Sequence, residues 1–181
     1  IIELKEFPSI EEKEEVIDIP NFSALSYIGA QINKSKRPII YAGGGIISSN
    51  SSKYLYTLAK KNNIPVALTL MGLGAFPADD ELYLGMLGMH GSPFTNLLIN
   101  EADLILAFGV RFDDRATGDI KKFCPKASII HVDIDESEIN KVKNSSISMN
   151  CSIDLFLKSI IGYIDENPRT NWIQRINCFK N

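Results

Sequence analysis

The stretch Pro38-Ile39-Ile40-Tyr41-Ala42-Gly43-Gly44-Gly45 decides the fold class. Five residues with no charge among them run into three glycines, and the chain beyond resumes with apolar residues at helical spacing. So short an apolar run reads as a strand buried on both faces, because a strand with one wet face would alternate polar and apolar positions. The glycines that follow let the backbone turn sharply into a helix and leave no Cβ in the way of an approaching ligand. The free amides at the start of that helix favour a negatively charged group.

The same alternation extends in both directions. Upstream, Leu25, Ile28, Gly29 and Ile32 keep helical spacing from Phe22 to Lys36. Downstream, Ser48 to Asn50 can cap a helix that carries Tyr54, Leu55, Leu58 and Ala59 on one face. Pro65 to Leu68 reads as a strand and Met71 to Asp80 as a Gly-rich loop. A helix starts after Ser92-Pro93, with Phe94, Leu97 and Leu98 facing inward. Strands follow at Asp103 to Phe108 and Ala127 to Val132, separated by the loop Gly109 to Gly118. A short helix at Glu136 to Lys143 and another at Ile153 to Ile164 complete the pattern. Short buried strands alternating with helices predict an α/β domain, doubly wound, with a mainly parallel sheet and helices on both faces. The domain is expected over residues 21–165. Residues 1–20, with Pro8, Pro20 and the run Glu11-Glu12-Lys13-Glu14-Glu15, read as a solvated linker, and residues 166–181 as a second one.

Composition narrows the function. The 181 residues suffice for one core, and a net charge of −3 without a basic cluster argues against nucleic acid as the main partner. No apolar run approaches the roughly 20 residues that span a bilayer, so no membrane contact is expected. The start Ile1-Ile2-Glu3 has neither a secretory signal nor a Met, which reads as a chain cut from a longer one. Cys124, Cys151 and Cys178 are odd in number and scattered, as in reduced thiols of a cytoplasmic protein.

Ligands of doubly wound sheets bind beyond the carboxyl ends of the strands, where this chain concentrates Gly, Arg and Asp. The Gly43 to Gly45 loop is an imperfect dinucleotide fingerprint, since Ser48 stands where a third glycine would be and the next strand ends in Thr69-Leu70 without a ribose-binding acid. Gly88-Met89-His90-Gly91 offers a thin backbone and a polarizable Met to a flat ligand. His90 has no second ligand at metal spacing, so no metal site is expected here. Gly109-Val110-Arg111-Phe112-Asp113-Asp114-Arg115-Ala116-Thr117-Gly118 crowds two guanidinium forks and two carboxylates together at a strand end. Such forks match phosphate or carboxylate in paired hydrogen bonds. A surface salt-bridge cluster is the alternative. His131-Val132-Asp133-Ile134-Asp135 closes another strand, with Asp133 read as a cofactor contact and Asp135 as a helix cap.

Taken in order and spacing over residues 22 to 160, these segments resemble the acetohydroxyacid (acetolactate) synthase family, most specifically through Gly109 to Arg115. The resemblance implies the central, Rossmann-like, FAD-binding domain of a three-domain catalytic subunit. The family decarboxylates pyruvate on thiamine diphosphate, held through Mg²⁺, and joins the two-carbon unit to a second 2-oxoacid at the start of branched-chain amino-acid synthesis. FAD is there a mainly structural cofactor. By this resemblance Gly43, Gly44, Gly45, Thr69, Leu70, Met71, Leu87, Gly88, Met89, His90, Gly109, Arg111, Asp113, Asp133 and Ile134 line the FAD. Arg115 receives the second 2-oxoacid, Asp114 positions it, and Met89 borders the same channel. The resemblance further implies a homodimer or tetramer, a regulatory small subunit in some members, and a cytoplasmic or plastid location.

The chain departs from the family where its Gly-Asp pair reads Asn150-Cys151. The family's activating glutamate and its Gly-Asp-Gly metal motif belong to flanking domains, so this chain is expected to be inactive alone. A central domain of an FAD-free thiamine diphosphate decarboxylase, and a non-catalytic flavin or nucleotide-binding module, are the competing readings. A sirtuin-like deacylase would need a four-cysteine zinc site that three cysteines cannot make.

Overall fold

The computed structural model describes residues 21–180. The expected linker over residues 1–20 therefore lies outside the described residues. Six strands, β1 (Pro38–Ala42), β2 (Val66–Leu68), β3 (Tyr83–Met86), β4 (Leu104–Phe108), β5 (Ser128–Asp133) and β6 (Ile147–Asn150), form one sheet in the order β3-β2-β1-β4-β5-β6. Every neighbouring pair is parallel, as the doubly wound reading requires.

Strand residues divide cleanly between two cores. Ile40, Ala42, Leu106, Phe108, Ile130 and Val132 face one side, together with α1 (Phe22–Lys34), α2 (Gly44–Ser48), α3 (Ser52–Asn62) and α6 (Ile153–Ile160). Ile39, Tyr41, Ile105, Ala107 and Ile129 face the other, with α4 (Pro93–Glu101) and α7 (Thr170–Lys180). Alternate residues thus feed opposite cores, and both sides of β1 and β4 are dry. The termini of α1 and α4 follow from their caps. Asn21 accepts the Ala24 amide at 2.8 Å, and Ser92 caps α4 with Pro93 in its first turn.

Four local expectations change. The chain from 166 onward, expected as a linker, holds α7, whose Trp172 and Ile176 are buried in the second core. In place of a helix over Glu136 to Lys143 there is one 3₁₀ turn, Glu136–Glu138. Asn140 stops it with a left-handed backbone, φ +59°, and turns its side chain to the Ser145 amide at 2.7 Å. Strand β6 then follows, unforeseen because its exposed Ser148 and Asn150 alternate with half-buried Ile147 and Met149. On α4, Leu97 faces solvent, while Thr95, Leu98 and Ile99 face inward.

Chain direction across the sheet reverses between β1 and β4, which are neighbours in space and distant in sequence. The loops leaving these two strands diverge to opposite faces and open a crevice at their carboxyl ends.

Candidate functional site

Glycines set how closely the loops around that crevice approach. A Cβ on Gly43 would collide with the carbonyl oxygen of Gly109, and one on Gly45 would lie 2.6 Å from Gly109 Cα. Gly43 and Gly45 donate their amides to Phe108 at 3.0 Å and Gly109 at 3.3 Å. The spare volume at Gly43 and Gly45, expected to admit a ligand, is thus taken by the neighbouring loop. Gly44 keeps more freedom, with Met71 Cβ 3.2 Å from the position its own Cβ would take.

A second docking joins the loop after β3 to the turn after β4. Gly88, at φ +103°, lies so near Arg115 that a Cβ would strike its carbonyl, and the Met89 amide donates to that oxygen at 2.8 Å. Asn96 of α4 clasps Gly88 from below, accepting its amide and donating to its carbonyl, both at 2.9 Å. Neither contact was visible in the sequence, since an Asn eight residues on carries no local signal.

The charged stretch separates into distinct roles. Asp113 caps the single-turn helix α5 (Asp114–Thr117), accepting the Ala116 amide at 3.0 Å. Arg111, whose side chain is 74% exposed, reaches Glu138 at 3.6 Å, and Glu138 in turn takes Lys141 at 2.8 Å. Arg115 is exposed and has no ion pair among the described residues. Neither arginine pairs with Asp113 or Asp114, and Arg111 instead joins Glu138 and Lys141 in a chain of ion pairs.

At the end of β5, burial pushes the Asp133 carboxyl up, against the Asp135 amide that donates to it at 3.0 Å. Burial likewise lowers the pKa of His131, whose Nε2 sits 3.2 Å from the Val110 carbonyl and 4.0 Å from Asp133. Asp135 caps the turn that follows, and the hydroxyl and amide of Ser137 hold its carboxyl below the usual range. Asn150, where the resembled family has Gly, donates its side-chain amide to the carbonyls of Asp133 and Ile134 at 3.1 and 2.9 Å.

These loops enclose a cavity of about 1060 Å³. Gly44, Gly45, Thr69, Leu70, Met71, Leu87, Met89, His90, Gly109, Arg111, Asp113, Arg115, Asp133 and Ile134 all line it. Gly43, Gly88 and Asp114 do not, and the first two act from behind by letting loops dock. Tyr41, Met86, Val110, Ala116, Asp135 and Glu138 also line it without having been expected. The strand residue Tyr41 was hidden by reading β1 purely as core. Leu70, Met71, Met89 and Ile134 hold large apolar surfaces out to solvent at its rim. Among the described residues no group of His, Cys, Asp and Glu is arranged to hold a metal ion, and no helix is long and apolar enough to cross a membrane. The arrangement suits a long, partly flat, anionic ligand. Apolar side chains share the lining with the guanidinium groups of Arg111 and Arg115, which can meet anionic groups, and with the carboxylates of Asp113, Asp133, Asp135 and Glu138, which can accept from hydroxyls.

The family model described as "Thiamine pyrophosphate enzyme, central domain" matches residues 25–160. The chain is 42% identical over 178 residues to the acetolactate synthase isozyme 1 large subunit of Escherichia coli strain K12, covering 97% of this chain and 31% of that protein. It is 49% identical over 142 residues to acetolactate synthase 2, chloroplastic, of Nicotiana tabacum, covering 78% of this chain and 21% of that protein. It is 51% identical over 136 residues to the acetolactate synthase large subunit of Buchnera aphidicola subsp. Schizaphis graminum, covering 75% of this chain and 24% of that protein. The chain thus spans between about a fifth and a third of the length of these relatives. It belongs to the thiamine pyrophosphate enzyme central-domain family.

Proposed function

We propose, with that membership as premise, that the chain is the FAD-binding central domain of an acetolactate synthase catalytic subunit. The observation that carries this reading is the cavity at the carboxyl ends of β1, β2, β3, β4 and β5, with two arginines not engaged by the neighbouring aspartates. At about 1060 Å³ it stands at the upper end of the ~300–1,000 Å³ of ordinary small-molecule pockets, with room for a ligand as long as a dinucleotide. Its residues fit FAD in kind. Arg111 supplies a fork for the diphosphate, Gly44 at the start of α2 lines the same crevice, and Met71, Met89 and Ile134 offer surfaces for flat rings. Asp133 can accept from ribityl or ribose hydroxyls once its carboxyl is ionised.

In this reading the flavin has a structural part, and its isoalloxazine would supply no electron transfer to the net reaction. Arg115 stands apart from the Arg111–Glu138 pair and receives the carboxylate of a second 2-oxoacid, with Asp114 beside it at the start of α5. Thiamine diphosphate and Mg²⁺ are held by further domains of the same subunit, assembled as a homodimer or tetramer with or without a regulatory small subunit. The enzyme works in the cytoplasm, or in the plastid of a photosynthetic eukaryote.

The test uses the complete natural polypeptide with pyruvate, thiamine diphosphate and Mg²⁺. Acetolactate formation with stoichiometric bound FAD is expected. Acetaldehyde release from a flavin-free protein would instead identify a decarboxylase and overturn the proposal.

A further inference from the structure

Tyr41 is wholly buried, yet its hydroxyl has no hydrogen-bond partner among the described residues. Interiors rarely leave such a group unpaired, so a missing partner needs an identity. Tyr41 lies on β1 at the reversal point of the sheet, in register with Ala107 of β4, and forms part of the cavity floor. Two sources of a partner are conceivable. One is internal, because His131 stands in the same row, in register with Ala107 from the other side, and its Nδ1 is also unpaired. A bridging water would need two to four polar groups around it. The ring of Phe112 instead contacts both side chains, 6.0 Å from the Tyr41 ring and edge-on to His131 at 5.3 Å, and gives that space an apolar wall. His131 does not line the cavity, whereas Tyr41 does. Burial and then the Asp113 carboxylate hold the phenol pKa well above its ordinary value, so the group is a neutral donor at any physiological pH.

We propose that Tyr41 is a ligand-binding residue, its hydroxyl donating a hydrogen bond to an oxygen or ring nitrogen of the bound flavin cofactor. The assignment rests on the FAD reading above. The free protein then carries an unpaired donor that ligand binding satisfies, so part of the affinity comes from relieving that penalty.

The experiment compares the complete natural polypeptide with its Tyr41→Phe variant, measuring the FAD dissociation constant by flavin fluorescence and the melting temperature of the FAD-free protein. The expected result is a dissociation constant raised about threefold to tenfold, with the FAD-free melting temperature unchanged or higher. An unchanged dissociation constant overturns the assignment. If the melting temperature also falls, or the variant does not fold, the hydroxyl has its partner inside the protein. Should the unaltered protein fail to bind FAD at all, the cofactor reading falls and the assignment with it, an outcome distinct from the loss of the Tyr41 contact alone.

Discussion

The two edges of the sheet treat their polar groups in opposite ways. At the amino edge Asp103 accepts from the Ser35 hydroxyl at 2.5 Å and from the amides of Lys36 and Arg37 at 2.8 and 2.9 Å. Close by, the buried Arg169 donates to the carbonyls of Ile32, Ser35 and Asn62 and to the Asn62 side chain. It thereby satisfies carbonyls at the ends of α1 and α3 and fastens the segment that leads into α7. At the carboxyl edge Arg111 has one long ion pair, Arg115 none among the described residues, and the Tyr41 hydroxyl no partner. The same residue types stabilise where they are paired internally, and the proposed function sets them against a ligand where they are not.

The comparison breaks first at Arg169. Arg169→Ala leaves several buried carbonyls unpaired and should cost about 3–5 kcal/mol in urea denaturation. Burial pulls this guanidinium down to about 10, so it stays charged at neutral pH. A loss below about 1 kcal/mol would show that the amino edge is not the fastening.

Gly43→Ala sharpens the contrast, because this carboxyl-edge residue should behave structurally. Its new methyl would meet the Gly109 carbonyl, a backbone atom with little room to yield, and should cost about 2–3 kcal/mol. Equal stability with weakened ligand binding would return Gly43 to the cavity.

Asp103 adds a pH dependence. Burial would raise its pKa, but the Ser35 hydroxyl and the two backbone amides outweigh that and hold it below the usual value. Its contribution is therefore fully present above the unfolded value near 4 and is lost as pH falls through the lower folded value. Asp103→Ala should cost about 2 kcal/mol at pH 7, with the two stability curves converging in acid. Parallel curves down to pH 2 would count against this.

The smallest stability effects belong to the cavity arginines. Arg111→Ala and Arg115→Lys should each shift stability by less than about 0.5 kcal/mol. In the complete polypeptide, and on the proposed function, Arg111→Ala should weaken FAD about tenfold, while Arg115→Lys should leave flavin content intact and divert product from acetolactate toward acetaldehyde. Flavin loss in Arg115→Lys, without a change in products, would reverse the two assignments.

What was legible in the sequence follows the same division. β1 and β4 stood out because both faces are buried, which leaves an uninterrupted apolar run. β6 did not, since its alternation over four residues is too short to separate from loop. α7 was passed over because its surroundings are polar, although Trp172 and Ile176 already sat four apart on one face. In the cavity, Gly44, Gly45, Gly109, Arg111 and Arg115 were readable from loops at strand ends, whereas Gly43 and Gly88 lie behind its wall. Tyr41 and Glu138 were not readable, because Tyr41 sits inside an apolar strand run and Glu138 meets Arg111 from 27 residues further along the chain.

The pairing of β1 with β4 also has a kinetic consequence. Each half of the chain can bring three strands side by side, β3-β2-β1 and β4-β5-β6, but the crevice exists once the halves have joined. That junction closes a long loop before parallel hydrogen bonds reward it, which makes it a slow event. A ligand bound across it cannot assist earlier steps, since neither half presents both walls. The appearance of ligand-binding competence during refolding is then a clock for the final joining of the halves, and should lag the recovery of helical signal.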